Sequence, residues 1–259
     1  MSKSKISWTN ETWNPVTGCS KVSPGCAHCY AERISHQYKF TSKAWIPQFA
    51  SENVVLHPER LEQPLHWKKP RMVFVNSMSD LFHENVSFDF IDSVMNVICE
   101  TSQHTFQVLT KRPARMFDYF TRKERKFHAA NIENLWLGVS VENQKAADER
   151  IPFLLQTPAA IRFLSCEPLL GEIDLEDYLT TVDGWDADAY GNIEGHHIDW
   201  VIVGGESGPH YREMNLDWAR SIRDQCAAVN VPYFFKQQSG YRSEMNPTLD
   251  GVEWHQFPE

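Results

Sequence analysis

The fold is decided by residues 72–110, which read MVFVNSMSDLFHENVSFDFIDSVMNVICETSQHTFQVLT. Two short apolar segments in it, Met72–Asn76 and Thr105–Thr110, have the length and composition of buried strands. Between them, Ser87 has the side chain of a helix N-cap, and apolar residues follow it at helical spacing. A strand, a helix and a second strand in this order predict a βα unit of a parallel sheet.

The same alternation continues to the end of the chain, and helices are predicted after Pro113, Asn143 and Asn215. A seventh strand is predicted near Val16–Lys21. No G-x-G-x-x-G turn follows an early strand, which argues against an open dinucleotide-binding sheet. We therefore predict an α/β fold, a full or partial (βα)6-type barrel of parallel strands in a single domain, residues 1–259. The other predicted strands are Leu135–Ser140, Ile161–Ser165, Trp200–Gly204 and Pro232–Lys236.

Composition places the chain among ordinary folded proteins, since 42% of its 259 residues are apolar and 12% are aromatic. Its net charge of −9 is concentrated in residues 172–199, which contain no Lys or Arg. Within them we predict an exposed acidic insertion at about residues 180–196. The rest of the chain is electrically balanced, which disfavours an indiscriminate DNA-binding protein. No apolar run reaches the roughly 20 residues of a membrane helix and no signal peptide begins the chain, so we predict a cytoplasmic protein without membrane contact.

Three of the six cysteines are clustered within eleven residues, at the spacing C-x6-C-x2-C. Three thiolates in one loop suit a tetrahedral zinc with a fourth ligand such as His36, or three irons of a [4Fe–4S] cluster. A cluster with three protein ligands leaves one iron open to a small molecule. The clustered cysteines are Cys19, Cys26 and Cys29, whereas Cys99, Cys166 and Cys226 lie in apolar contexts and are predicted to be buried.

The motif resembles the cluster loop of the radical S-adenosylmethionine (SAM) superfamily, C-x3-C-x-aromatic-C, with His28 in the aromatic position and a longer first gap. The whole chain more closely resembles a phage- and prophage-borne family of uncharacterised proteins with this three-cysteine motif, and distantly spore photoproduct lyase. The segments that carry this likeness include TWNPVTGCSKVSPGCAHCYAE, FVNSMSDLFHE, VLTKRP, LGVSVEN, RFLSCEPLLG and WVIVGGESG.

This resemblance implies an N-terminal loop in which Cys19, Cys26 and Cys29 hold a [4Fe–4S] cluster, with SAM on the fourth iron. It implies an enzyme that cleaves SAM reductively to a 5′-deoxyadenosyl radical, which abstracts a hydrogen atom from a substrate. An electron donor such as flavodoxin or ferredoxin would be a partner. His28 would support the adenine ring of SAM.

Polar residues follow the ends of the predicted strands, and in βα barrels the carboxyl ends of the strands build the active site. Lys111 would receive a carboxylate or phosphate of the substrate, and Glu206 would be a second catalytic residue. The cofactor-binding candidates are Ser77, Ser79 and Asp80 for the SAM ammonium, Ser140 and Glu142 for its ribose or methionine, Glu167 at the mouth, and Gly204 and Gly205 for close backbone approach. Turn and cap roles are the structural alternative for these residues.

Cations predicted at the mouth of the barrel, Arg112 among them, suggest a nucleotide or nucleic acid as substrate, but the sequence does not identify it. Two other functions fit the cysteines. One is a binding protein whose barrel-like fold is stapled by zinc, and the other is an iron–sulfur sensor that does not cleave SAM.

Overall fold

The computed structural model describes residues 4, 6–122, 127, 132–180, 196–244 and 246–259. The chain divides into two compact units, Met1–Leu137 with Pro158–Ala160 and Gly138–Thr157 with Ile161–Glu259. Apart from its two ends, the acidic insertion predicted at about residues 180–196 lies outside the described residues.

An α/β fold with a sheet of seven strands is observed, in the order β1-β4-β5-β6-β7-β8-β9. Parallel pairing joins β1 to β4 and β4 to β5 in the first unit, and β7 to β8 and β8 to β9 in the second. The predicted α/β class is confirmed, and a strand order with two ends agrees with the partial form of the predicted barrel. The strands are β1 (Glu11–Trp13), β2 (Val16–Thr17), β3 (Val55–Leu56), β4 (Met72–Val75), β5 (Thr105–Thr110), β6 (Leu135–Ser140), β7 (Ile161–Cys166), β8 (Trp200–Gly204) and β9 (Tyr233–Gln237).

The first strand of the sheet is not where the sequence places it. We expected a strand near Val16–Lys21, but the strand beside β4 is Glu11–Trp13. Val16 and Thr17 instead pair antiparallel with β3 in a separate two-stranded sheet. The chain cannot continue as a strand beyond them because Gly18 has a positive φ of 80°.

Side-chain caps and a proline fix the starts of the long helices. Ser87, Asn143 and Asn215 each accept a hydrogen bond from a backbone N–H of the following turn, and Pro113 opens its helix. These four predicted starts are confirmed. The helices are α1 (Tyr30–Gln37), α2 (Ala50–Asn53), α3 (Phe88–Glu100), α4 (Pro113–Thr121), α5 (Gln144–Gln156), α6 (Glu176–Leu179) and α7 (Leu216–Ala228), with short 3-10 helices at Pro24–Cys26, Pro47–Phe49, Pro58–Arg60 and Gln63–His66. Among the residues that the structure describes, no helix is long and apolar enough to cross a membrane.

Two of the three isolated cysteines, Cys166 and Cys226, are buried as predicted. The prediction is wrong for Cys99, which is exposed. The buried stripe of α3 includes Ile98, and the next residue is turned by about 100° around the helix axis. Cys99 therefore lies on the outer face of the helix.

The parallel registers explain why the residues that follow neighbouring strands lie at one edge. In the first unit Val75 is opposite Val108, so Ser77 follows β4 at the same edge where Lys111 follows β5. In the second unit Cys166 is opposite Val203, which brings the residues after β7 and β8 to a common edge. The carboxyl ends of the strands are thus the place to examine for chemistry.

Candidate functional site

The cysteine loop, residues 18–29, connects β2 to α1 in the first unit. Cys19 lies at its beginning, Cys26 ends the 3-10 helix Pro24–Cys26, and Cys29 is the N-cap residue of α1. All three are half-buried free thiols. The loop therefore presents three thiols within eleven residues, as the sequence predicts.

Gly18 holds the start of the loop against the end of β4. Its N–H donates to the carbonyl oxygen of Met78 at 2.9 Å, and its carbonyl accepts from Ser79 Oγ at 2.6 Å. A Cβ at Gly18 would lie 1.8 Å from the backbone oxygen of Asn53, so only glycine fits here at this φ of 80°. The backbone direction entering Cys19 is thereby fixed.

Ser77 fixes the loop from its other end. The hydroxyl of Tyr30, the first residue of α1, donates to the carbonyl oxygen of Ser77. The Ser77 hydroxyl donates to Asn14 Oδ1 at 3.2 Å. The hydroxyls of Ser77 and Ser79 thus both make hydrogen bonds within the unit, and their predicted contact with SAM stays a prediction.

Arg112 reaches the loop from the residue before α4. Its guanidinium donates to Cys19 Sγ at 3.5 Å, to the Ser20 carbonyl oxygen at 3.0 Å and to Ser20 Oγ at 3.1 Å. On its other side it binds Asp80 Oδ2 at 3.2 Å and both carboxylate oxygens of Glu84, the nearer at 3.0 Å. Burial alone would lower the pKa of Arg112, but Asp80, Cys19 and Glu84 raise it above its ordinary value. The cation next to Cys19 is therefore permanent.

Asp80 connects the ends of β4 and β5. Its carboxylate accepts from Thr110 Oγ1 at 2.7 Å, from the N–H of Lys111 at 3.1 Å and from the N–H of Phe82 at 2.9 Å, in addition to Arg112. These four contacts satisfy a carboxylate that is only 6% exposed. Asp80 acts here as an internal anchor, and its predicted role as a SAM ligand is untested.

His83 completes the contacts around Ser20. Its Nε2 lies 2.9 Å from Ser20 Oγ, while its Nδ1 accepts from the N–H of Asn85 at 3.0 Å. Because Nδ1 accepts, the proton of a neutral ring is on Nε2 and points to Ser20. Burial, assisted by Arg112, lowers the pKa of His83, which favours this neutral form.

The thiols of Cys19 and Cys29 are protonated at neutral pH in the metal-free chain. Burial, together with the charge of Asp80, raises the pKa of Cys19 to about 12, although Arg112 acts in the opposite direction. Burial also raises the pKa of Cys29, while the backbone N–H groups of Glu32 and Ala31 and the charge of Lys111 lower it. A metal that binds here must displace these protons, as thiolate ligands require.

The described residues contain no group of three His, Cys, Asp or Glu side chains gathered closely enough to hold a single metal ion. Cys26 nevertheless acts electrostatically on the other two thiols, since it raises the pKa of both Cys19 and Cys29. His28 is exposed. The sulfurs share a loop without forming the tight cage that a zinc ion would need.

In the second unit, a buried ion pair follows β6. Glu142 and Arg150 are 1% and 6% exposed, and Arg150 Nη1 lies 2.8 Å from Glu142 Oε2. The same guanidinium nitrogen donates to the carbonyl oxygen of Ser140 at 2.7 Å. Arg150 comes from the second turn of α5, so the pair ties this helix to the strand end. The predicted roles of Ser140 and Glu142 in SAM binding are untested.

Glu167 follows β7 and pairs with Lys236 of β9 at 2.7 Å. Ser165 Oγ also donates to Glu167 at 3.2 Å. A Cβ at Gly204 would lie 2.8 Å from Glu167 Oε1, so the glycine makes room for this carboxylate at the end of β8. The Glu167 and Lys236 side chains are 13% and 25% exposed, and the predicted role of Glu167 in cofactor binding stays a prediction.

Glu206 follows β8 and binds Arg212 through both carboxylate oxygens, at 2.6 Å to Nη2 and 3.1 Å to Nε. Gly205 packs against Ser239, and a Cβ there would lie 2.3 Å from the Ser239 backbone nitrogen. Gly205 thus approaches backbone of its own unit. The catalytic role predicted for Glu206 stays a prediction.

Sequence reasoning missed the residues that hold the others in place, namely Ser20, His83 and Arg150. It noted Arg112 only as one of several cations. A signal for Arg112 is its position directly before Pro113, the first residue of a helix that follows a strand. The contacts of these residues span up to 93 positions in the chain, which a local pattern does not reveal.

A cavity of about 470 Å³ lies at the amino ends of β7, β8 and β9 in the second unit. His197, Asp199 and Pro232 are among its lining residues. It is at the opposite ends of these strands from Glu167 and Glu206. None of the predicted site residues lines it.

Comparison with known protein families gives one match, which covers residues 3–258. The matching family is DUF5131, described as a protein of unknown function. The chain belongs to the DUF5131 family. The membership in the radical SAM superfamily inferred from the cysteine motif is therefore wrong, because the matching family is DUF5131 and no family of that superfamily matches. Half of the loop motif is shared with that superfamily, but the first gap of six residues is not. No curated protein and no solved structure is significantly similar to the chain.

Proposed function

We propose that this DUF5131 protein is an enzyme that binds a [4Fe–4S] cluster through Cys19, Cys26 and Cys29 and uses it to cleave SAM reductively. The observation that carries the proposal is the anchoring of a three-thiol loop at the end of the sheet by Gly18 and Arg112. Three surface cysteines without a common function would not require a loop whose backbone is fixed by an obligatory glycine and a buried guanidinium.

The donor set suits such a cluster. Soft thiolate ligands select iron–sulfur clusters or zinc, and the loop offers three of them without a fourth cysteine. Each cysteine of a cubane binds a different iron, so the sulfurs stay farther apart than around a single ion. Three thiols that influence each other electrostatically but form no single-ion cage are compatible with this spacing.

When bound, the cluster would supply one electron to SAM, which would break into methionine and a 5′-deoxyadenosyl radical able to take a hydrogen atom from the substrate. The chain's own residues would do the positioning. Arg112 donates to the sulfur of Cys19, and Gly18 fixes the backbone that enters it. Tyr30 links the start of α1 to Ser77, so the loop keeps its place at the end of β4.

Lys111 is proposed to bind an anionic group of the substrate, a phosphate or a carboxylate. Its side chain is half-buried at the end of β5 and makes no ion pair among the described residues. Its charge lowers the pKa of Cys29, so the ammonium group acts electrostatically on that thiol. We further propose a nucleotide or nucleic acid as the substrate class, with a phosphate bound by Lys111, and flavodoxin or ferredoxin as the class of electron donor.

The test is anaerobic reconstitution with iron and sulfide, followed by metal analysis and incubation with dithionite and SAM. We expect about four irons per chain, as in a [4Fe–4S] cluster, and slow formation of 5′-deoxyadenosine and methionine. Cys26→Ala should abolish both, whereas Cys99→Ser, which alters an exposed thiol outside the loop, should alter neither. Iron loading without SAM cleavage would favour the sensor, and one tightly bound zinc would favour the zinc-stapled binding protein.

A further inference from the structure

Arg112 is the most completely bonded charged side chain near the cysteine loop. Its side chain is 5% exposed, and all three of its guanidinium nitrogens donate hydrogen bonds. Two carboxylates, Asp80 and Glu84, lie on one side and the Cys19–Ser20 segment on the other. A buried cation is tolerated only with such compensation, so this arrangement tightly limits where the guanidinium can lie.

The side of Arg112 away from the loop is itself rigid. Asp80 is held by Thr110 Oγ1 at 2.7 Å and by the N–H of Lys111 at 3.1 Å, both at the end of β5. Arg112 follows directly in the chain and its N–H donates to Thr110 Oγ1 at 2.8 Å. The end of the strand, the carboxylate and the guanidinium thus form one preorganised unit.

On the loop side, the guanidinium binds three different atoms of two successive residues. The contact with the Ser20 carbonyl oxygen at 3.0 Å fixes the backbone, and the contact with Cys19 Sγ at 3.5 Å fixes the direction of the side chain. We infer that Arg112 is a positioning residue for Cys19, which orients the first thiol of the loop through a donated N–H···S contact. A lysine could not replace it, because a compact ammonium cannot reach all of these atoms at once.

The consequence for a cluster rests on the proposed function. Hydrogen bonds to the sulfurs of an iron–sulfur cluster, and nearby charge, set its reduction potential. A cationic donor on a ligating sulfur stabilises the more negative, reduced cluster. Arg112 would therefore raise the potential as well as hold the ligand.

The first arm of the test uses the metal-free chain and does not depend on any cluster. Hydrogen exchange of the peptide that contains Gly18–Lys21 is followed by mass spectrometry in the wild type, in Arg112→Gln and in Arg115→Gln. Arg115 lies three residues further along the same region and contacts Val86 and the Phe88 ring instead of the loop, so it is the matched control. We expect this peptide to exchange about tenfold faster in Arg112→Gln than in the wild type, and at the wild-type rate in Arg115→Gln.

The second arm measures the reduction potential of the reconstituted protein by a redox titration followed by electron paramagnetic resonance. Arg112→Gln should shift the potential to a lower value, Arg112→Lys should recover part of the shift, and Arg115→Gln should match the wild type. If Arg112→Gln does not fold, Arg112→Lys takes its place in both arms, because it keeps a cation beside Asp80.

Two results would overturn the inference. One is hydrogen exchange of the loop peptide in the Arg112 variants at the same rate as in the wild type. The other is a reduction potential that is equal in the wild type, Arg112→Gln, Arg112→Lys and Arg115→Gln. If the wild type takes up no iron, the proposed function fails. The exchange arm then decides the positioning role alone.

Discussion

Gly18→Ala is the substitution whose cost can be worked out most directly from the geometry. A non-glycine residue in the left-handed region costs about 1–2 kcal/mol, and Gly18 has a φ of 80°. The added Cβ would lie 1.8 Å from the Asn53 backbone oxygen, which is not the flexible end of a side chain and cannot rotate away. Moving the backbone would break the contacts with Met78 and Ser79, at about 1 kcal/mol each. The expected loss of unfolding free energy is about 3–4 kcal/mol.

Gly251→Ala separates the two causes. Gly251 has nearly the same φ, 79°, but a Cβ there would meet nothing within 4 Å. It should therefore cost only the backbone strain of about 1–2 kcal/mol. The assay is denaturant-dependent hydrogen exchange read peptide by peptide, so that the two units give separate free energies. Equal losses in the two variants would refute the steric argument, and normal iron loading of Gly18→Ala would refute the link to the cysteine loop.

Three further predictions concern the buried ion pair after β6 and the protonation of His104 and Asp250. Glu142→Gln leaves the buried Arg150 without its counterion and should lower the unfolding free energy by about 3–5 kcal/mol in urea titrations, far more than a surface substitution. Burial lowers the pKa of His104, so the unfolded chain takes up a proton at a higher pH than the folded chain, and the free energy of unfolding should fall as the pH drops below about 6.5. In a series of urea midpoints measured against pH, His104→Gln should flatten this decline. An unchanged slope would contradict the prediction. Hydrogen bonds from Arg220 lower the pKa of Asp250 to about 2, so the stabilisation that the ionised Asp250 provides is present at neutral pH and is lost as the pH falls from about 4 towards 2. Asp250→Asn should therefore show a smaller decline of the urea midpoint over this pH range. The same decline as in the wild type would count against a stabilising ion pair between Asp250 and Arg220.

The six later strands could be predicted because their signal is local. Trp200–Gly204, for example, is a short apolar run that is buried along its whole length, and both of its neighbours in the sheet pair parallel. Helix starts were equally local, since Asn143 and Asn215 bond to N–H groups within three residues. The strand Glu11–Trp13 was missed because three residues are too few for alternation to show.

The candidate site was less predictable because its contacts are distant in sequence. The spacing of the cysteines identified the loop, but nothing local shows that Arg112 donates to Cys19, which lies 93 positions earlier. A basic residue normally indicates an exposed face, and here burial depends on two carboxylates, Asp80 and Glu84. The predicted burial of Cys99 was wrong because a shift of one position along a helix separates the buried stripe from the surface.

Electron paramagnetic resonance of the reduced, reconstituted protein, with and without SAM, shows directly whether the three cysteines hold a cluster with one iron open to SAM. We expect the signal of a reduced [4Fe–4S] cluster whose g values change when SAM is added, because SAM would bind the iron that Cys19, Cys26 and Cys29 leave free. A cluster signal that SAM does not alter, or no cluster signal from protein loaded under strictly anaerobic conditions, would contradict it.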